Sequence, residues 1–134
     1  MSSPGATPQE LRPLLADYRT TVQKAWSPDT AHINGEAGSP AGQCGVTSAW
    51  LQQQLKTDHD LDTDYIHGSV WLESKRLTDD HCWLQVNDII LDLTGDQYGL
   101  NEVVCGYWRD LIPVYLGRPG NPPVNRLRLL EAAL

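Results

Sequence analysis

The sequence predicts an α+β domain in which a helix that begins at a cysteine packs on a small antiparallel sheet. Two segments, residues 8–26 and 44–55, repeat apolar residues at helical spacing. Two short apolar segments flank Asn87-Asp88, an arrangement typical of a β-hairpin. The chain has 134 residues, the size of one domain with its own hydrophobic core, so residues 1–134 are predicted to form a single domain.

The N-terminal part of the chain is predicted to contain a tail, two helices and the loop between them. Residues 1–7 are small and polar and are expected to fray. The first helix covers residues 8–26, where Thr7 or Pro8 can begin it and Ser27-Pro28 can end it. Glycines and prolines then make residues 27–42 a loop, which leads to the second helix at Cys44.

The rest of the chain is predicted to form strands and one closing helix. Residues 58–64 read as an acidic connector, and residues 65–72 as a strand in which Gly68 is a candidate bulge. Residues 73–80 are predicted to be a charged turn before the hairpin strands 81–86 and 89–93. Residues 101–118 are mixed, with a candidate helix near Trp108 and a short strand near Val114. A loop at 118–123 precedes a helix over 124–134.

The geometry of the hairpin can be worked out from the alternation of side chains along a strand. With a two-residue loop at Asn87-Asp88, Val86 pairs with Ile89, Trp83 with Asp92, and His81 with Thr94. One face then carries an apolar set that must meet the core: Cys82, Leu84, Val86, Ile89, Leu91 and Leu93. His81 and Asp92 share the other face as diagonal neighbours, within reach of a hydrogen bond. A slip of one residue would turn the apolar set of one strand outward.

Cys44 is the candidate nucleophile, because it follows a glycine-containing loop and begins a helix. The free N–H groups and positive potential of a helix N-terminus lower the pKa of a thiol and can hold an oxyanion. A thiolate also needs a base and a group that orients this base, and these roles fall to His81 and Asp92.

Three further residues are candidates for binding the oxyanion or the substrate. Gly45 contributes a backbone N–H beside the nucleophile. Gln43 either donates to the oxyanion or makes a structural hydrogen bond, two readings that are equally open. Trp83, together with Trp108, can line an acyl pocket, although aromatic packing is the default role of such residues.

The motifs around these residues resemble a known family. The segment Gly42-Gln43-Cys44-Gly45-Val46-Thr47 is similar to the nucleophile motif of the bacterial YunG-like proteins. His81-Cys82-Trp83 and Leu91-Asp92-Leu93-Thr94 resemble the second half of that pattern, a layout similar to the transglutaminase-like and papain-like superfamily. The resemblance implies a papain-like/transglutaminase-like core, with a Cys-His-Asp site on a helix that packs on an antiparallel sheet.

Composition narrows the classes of partner. The net charge of −7 argues against nucleic acid and against an anionic membrane surface. No signal peptide or membrane-spanning stretch is visible, and three cysteines form no disulfide framework, so the protein is predicted to be cytoplasmic. Neither a metal site nor a cofactor is expected, because the acidic run 58–64 lacks the glycine of a calcium loop and no CxxC spacing occurs.

The expected function is acyl-group chemistry through a Cys44 thioester on a small-molecule or peptidyl substrate. Amide or thioester hydrolysis, deamidation and acyl or aminoacyl transfer share this intermediate. The alternatives are a non-catalytic binding module with the same fold and, more weakly, a component of a bacterial toxin or immunity system. His67 is a rival base, His32 and His59 are expected to be solvated, and Cys82 and Cys105 are expected to be core residues.

Overall fold

The computed structural model describes residues 7–134 as three helices and one five-stranded antiparallel sheet, which is the α+β class. The helices are α1 (Pro8–Val22), α2 (Cys44–His59) and α3 (Val124–Ala133). The strands are β1 (Asp64–Leu72), β2 (Lys75–Val86), β3 (Ile89–Asp92), β4 (Val104–Tyr107) and β5 (Val114–Pro119). The sheet order is β4-β3-β2-β1-β5. Apart from Thr7, the predicted frayed tail lies outside the described residues.

Helix α1 begins as the sequence predicts. The Thr7 side chain accepts a hydrogen bond from the Glu10 N–H, which satisfies one of the free donors of the first turn. Leu11, Leu15 and Val22 are fully buried on one face. The last predicted turn is a 3-10 helix, Gln23–Ala25, so helical conformation ends one residue before Trp26.

Helix α2 begins at Cys44 and is longer than predicted. It continues through His59 and ends at Asp60, which has a left-handed conformation with φ 51°. Every residue from position 44 to 51 is buried, so the N-terminal half of α2 lies inside the protein. The apolar periodicity fades after Leu55 because the last turn of the helix is exposed and polar.

The hairpin β2–β3 has the predicted register. Val86 pairs with Ile89 and Leu84 with Leu91, and Asn87 takes the positive φ of 53° that a two-residue turn requires. The ladder stops at Leu84, so the predicted pairs of Trp83 with Asp92 and of His81 with Thr94 are not part of it. The chain leaves the sheet after Asp92 and enters the 3-10 helix Gly95–Tyr98.

Several boundaries differ from the predictions. The predicted charged turn 73–80 contracts to Glu73 and Ser74, since residues 75–80 extend β2 along β1 at the exposed end of the sheet. The predicted irregularity at Gly68 is present, as a register shift between Gly68 and Val70. No helix forms near Trp108. The chain turns there, and β4, which the sequence reading missed, precedes the turn.

The sheet separates two hydrophobic clusters. One face packs Cys82, Leu84 and Leu91 against α1 and α2. The other face buries Trp83, Ile90 and Tyr115. This division confirms the predicted alternation of faces along the hairpin. None of the helices within residues 7–134 is long and apolar enough to cross a membrane.

Candidate functional site

Cys44 lies at the first position of α2, against a cavity of about 570 Å³. Gly42, with φ 74°, turns the chain into the helix. The first helical hydrogen bond runs from the Thr47 N–H to the Gln43 carbonyl, so the N–H groups of Cys44 and Gly45 have no partner within the helix. The cavity also contacts residues from β1, β2 and α3, among them Tyr65, Cys82 and Arg126.

His81 and Asp92 form a fully buried pair. The His81 Nε2 lies 2.8 Å from the Asp92 Oδ2, and both side chains have no exposed surface. Asp92 also accepts hydrogen bonds from the Thr94 N–H at 2.9 Å and from the Tyr115 hydroxyl at 2.8 Å. The prediction that the two side chains meet is therefore confirmed, whereas their catalytic role stays a prediction.

The environment of Asp92 keeps its carboxyl ionised. Burial by itself raises the pKa of Asp92. The His81 imidazole, the Thr94 N–H and the Tyr115 hydroxyl outweigh burial and hold the pKa below its usual range. An anionic Asp92 accepts a hydrogen bond from the Nε2–H group, which orients the His81 ring and leaves Nδ1 as its free nitrogen.

The other nitrogen of His81 has no partner. Nδ1 is buried and makes no hydrogen bond within residues 7–134. The ring is packed edge-on against Tyr98, with centroids 5.1 Å apart, and is tilted against Trp83 at 5.9 Å. The hydrogen bond to Asp92 thus fixes the His81 ring through Nε2, while Nδ1 has no hydrogen-bond partner among the described residues.

Cys44 shares the cavity with Cys82, whereas His81 is not among the lining residues. No hydrogen bond joins the Cys44 thiol to Nδ1. Two observations still connect the dyad with the cysteine. Tyr98 contacts the His81 ring and lines the cavity, and the charge of Asp92 helps to raise the pKa of Cys44.

The two cavity thiols influence each other. A hydrogen bond with Cys82, followed by burial, raises the pKa of Cys44 above its ordinary range. The same hydrogen bond lowers the pKa of Cys82 to about 6 against the effect of burial, and the Tyr65 hydroxyl adds to this lowering. The pKa of Cys44 is therefore raised rather than lowered, contrary to the prediction from the helix N-terminus.

Most of the remaining predicted site residues make structural contacts and do not line the cavity. The Gln43 amide is fully buried, donates to the Ser27 carbonyl at 3.0 Å and accepts from the Thr30 hydroxyl at 2.7 Å, so it holds the preceding loop. Gly45 lines the cavity. Trp83 is fully buried beside His81 and does not reach the cavity, and Trp108 donates to the Tyr115 carbonyl.

The other histidines agree with the expectations in part, and His32 is exposed as predicted. His67, the rival base, lines the cavity and pairs with Asp80 at 2.7 Å, which raises the pKa of His67 against the effect of burial. His32 also lines the cavity, where its Nδ1 accepts a hydrogen bond from Arg126 at 3.1 Å. His59 packs against the ring of Tyr18. The part of the chain that the structure describes has no group of three His, Cys, Asp or Glu that could hold a metal.

Several members of the site were not predicted as such. Cys82 belongs to the core, as predicted, and also lines the cavity beside Cys44. Tyr115 and Arg126 lie on β5 and α3, which reach the site only through the tertiary fold.

Comparison with family models, with curated proteins and with solved structures gives no match to this chain. The resemblance to YunG-like and papain-like proteins therefore remains a prediction from the motifs.

Proposed function

We propose that the protein carries out acyl-group chemistry through a Cys44 thioester, on a papain-like/transglutaminase-like core. The substrate is a small-molecule or peptidyl amide or thioester. The observation that carries the proposal is the buried His81–Asp92 pair, whose free Nδ1 belongs to a ring in contact with the cavity residue Tyr98. A neutral imidazole held by an ionised carboxylate is the general base that a cysteine nucleophile needs.

The first step is activation of the thiol. Cys44 is protonated while it is hydrogen-bonded to Cys82, so the thiol must exchange this partner for His81. Nδ1 then accepts the proton, and the positive imidazolium is stabilised by Asp92 at 2.8 Å.

The second step forms the thioester. The sulfur of Cys44 attacks the carbonyl carbon, and the free N–H groups of Cys44 and Gly45 stabilise the oxyanion. The bond to the leaving amine or thiol breaks as the leaving group takes the proton from His81. Water or an amine then releases the acyl group, which yields hydrolysis, deamidation or transfer.

The three cysteines are unpaired, which supports a role in the reducing cytoplasm.

The intermediate is directly testable by intact-protein mass spectrometry. We expect incubation with reactive acyl donors to add the mass of one acyl group, and Cys44→Ala to abolish this gain while the fold is kept. Cys105→Ala is the matched control, since Cys105 is a buried thiol whose sulfur lies 3.7 Å from the Pro8 carbonyl, away from the cavity. An acyl adduct that persists in Cys44→Ala would contradict the proposal.

The second candidate is a non-catalytic binding module, which the raised pKa of Cys44 and its missing contact with His81 favour. The rate of alkylation by iodoacetamide distinguishes the two functions. A catalytic Cys44 is expected to react through the His81 base, so its rate should fall in His81→Ala. A rate that is the same in the wild type and in His81→Ala would favour the binding module.

A further inference from the structure

The cavity beside Cys44 contains two arginines, although the protein as a whole is acidic. Arg118 and Arg126 line it, and its acidic groups in the described part of the chain are the carboxylate of Asp80 and the thiol of Cys82. Asp80 is already paired with His67 at 2.7 Å and approaches His32 at 4.0 Å. Neither arginine forms an ion pair within residues 7–134.

Arg126 is the more constrained of the two arginines. It stands in the first turn of α3, and its Nη1 donates a hydrogen bond to the Nδ1 of His32. Its Nε is buried and has no hydrogen-bond partner among residues 7–134, and no ion pair within these residues includes its guanidinium. A half-buried guanidinium without an anion has lost hydration without gaining a counter-charge, which is costly unless a ligand supplies one.

The free edge of this guanidinium lies next to the nucleophile. A methyl group built on Gly45, the residue after Cys44, would come within 3.3 Å of the Arg126 Nη2 and 3.1 Å of the Tyr65 hydroxyl. Nη2 and Nε form one edge of the guanidinium, and this edge matches the two oxygens of a carboxylate. An anion bound to this edge would lie beside Gly45, the residue that follows the nucleophile Cys44 in the chain.

We propose that the cavity selects substrates that carry a carboxylate close to the reacting carbonyl, and that Arg126 binds this carboxylate. The selection of substrates rests on the proposed function of Cys44, but the binding of a carboxylate by Arg126 does not require the thiol. The carboxylate can be the terminal carboxylate of an amino acid or an acidic side chain, since both present the same two oxygens.

The first experiment measures binding in the absence of chemistry. Succinate and inorganic phosphate are titrated into Cys44→Ala protein, with binding followed by nuclear magnetic resonance. We expect Arg126→Gln to weaken succinate binding by about tenfold or more, which is the size of one lost charge-assisted hydrogen bond. Arg126→Lys is expected to be intermediate, because it keeps the charge and loses the two-point edge.

Arg128→Gln is the matched control, because Arg128 is an exposed arginine on the same helix and lies outside the cavity. An equal loss in Arg128→Gln, or no detectable succinate binding, would overturn the proposal. Tighter Arg126-dependent binding of phosphate than of succinate would overturn the choice of carboxylate. Circular dichroism of each variant shows that the fold is kept.

The second experiment separates this proposal from the proposed function. Iodoacetate and iodoacetamide both alkylate a thiolate: the sulfur forms a bond to the methylene carbon as the bond to iodide breaks. Only iodoacetate carries a carboxylate. We expect the ratio of their rates at Cys44, read by peptide mass spectrometry, to fall about tenfold in Arg126→Gln, through a slower reaction with iodoacetate. An unchanged ratio at a reactive Cys44 overturns the carboxylate site alone. A Cys44 that reacts with neither reagent, while succinate binding still depends on Arg126, overturns the thioester chemistry alone.

The acidic side-chain and terminal-carboxylate sources are distinguished by competition. N-acetylglycine carries a terminal carboxylate. The methyl ester of N-acetylglutamate at its α-carboxyl group carries only the side-chain carboxylate. The better competitor against iodoacetate identifies the source, and failure of both to compete would overturn the proposal.

Discussion

At the scale of single residues, the site depends on how its charges are shared among buried neighbours. The Asp92 carboxylate accepts hydrogen bonds from three residues, His81, Thr94 and Tyr115, so its ionised form is stabilised inside the protein. Cys82 and Cys44 shift each other's pKa in opposite directions, that of Cys82 downward and that of Cys44 upward. Both arrangements lead to measurable dependences on pH.

Asp92 is expected to make the free energy of unfolding depend on pH in the acidic range. Its pKa in the folded protein lies below the value of about 3.9 in an unfolded chain. Its contribution to stability is therefore complete above that value and is lost as the pH falls through the folded pKa. We expect Asp92→Asn to lower the free energy of unfolding by roughly 1–3 kcal/mol near neutral pH and to flatten its dependence on pH below about 4.

Urea unfolding at a series of pH values measures this effect. Asp88→Asn is the control, because Asp88 forms only an exposed pair with Arg109. A slope against pH that is the same in Asp92→Asn and the wild type would contradict the assignment.

Removal of Cys82 is expected to activate Cys44. The hydrogen bond and negative charge of Cys82 are among the causes that raise the pKa of Cys44, so Cys82→Ala should lower that pKa and speed the reaction of Cys44 with iodoacetamide at neutral pH. Cys105→Ala should leave the rate unchanged, since burial raises the pKa of Cys105 to about 11 independently of the cavity. If Cys44 reacts at the wild-type rate without Cys82, the two thiols are not coupled.

At the scale of elements, α1 holds the segment that follows the dyad. Arg19 is buried and reaches across from α1 to Asp96 with two hydrogen bonds of 2.9 Å each, and it donates to the Leu93 carbonyl. These bonds fix the 3-10 helix Gly95–Tyr98, which brings the Tyr98 ring against His81. The position of His81 therefore depends on a helix that contributes no residue to the cavity.

Arg19→Lys tests this link. The change keeps the charge but removes the two-point contact with Asp96, so we expect a loss of roughly 1–3 kcal/mol of unfolding free energy and a shifted His81 ring signal in nuclear magnetic resonance. Arg109→Lys, in an exposed pair, should change stability by less than about 1 kcal/mol. A His81 signal that stays in place while stability falls would show that Arg19 stabilises the fold without positioning the dyad.

The elements also show which parts of the structure could be predicted from sequence. The hairpin register was predictable, because any slip would have exposed the apolar side chains of Leu84 and Leu91. The strand at residues 75–80 was not, since its charged residues lie at an exposed end where burial imposes no pattern. The contact between His81 and Asp92 followed from local geometry, whereas Arg126 and Tyr115 enter the site through long-range packing that no local pattern encodes.

At the scale of the whole molecule, the sheet joins two hydrophobic clusters into one cooperative unit. Ile90 and Leu91 are adjacent in β3 and fully buried, yet Ile90 belongs to the cluster around Trp83 and Leu91 to the cluster under α1 and α2. Because the same strand contributes to both clusters, neither cluster can unfold without breaking the sheet that supports the other. A chain of this size is expected to unfold in one transition.

Ile90→Ala and Leu91→Ala form a matched pair that tests this cooperativity. Each change leaves a cavity in one cluster and is expected to lower the free energy of unfolding by about 2–5 kcal/mol. Urea unfolding followed by tryptophan fluorescence and by far-ultraviolet circular dichroism should give one coincident transition in both variants, shifted to lower urea with an unchanged slope. Two separated transitions, each moved by only one of the substitutions, would show that the two clusters unfold independently.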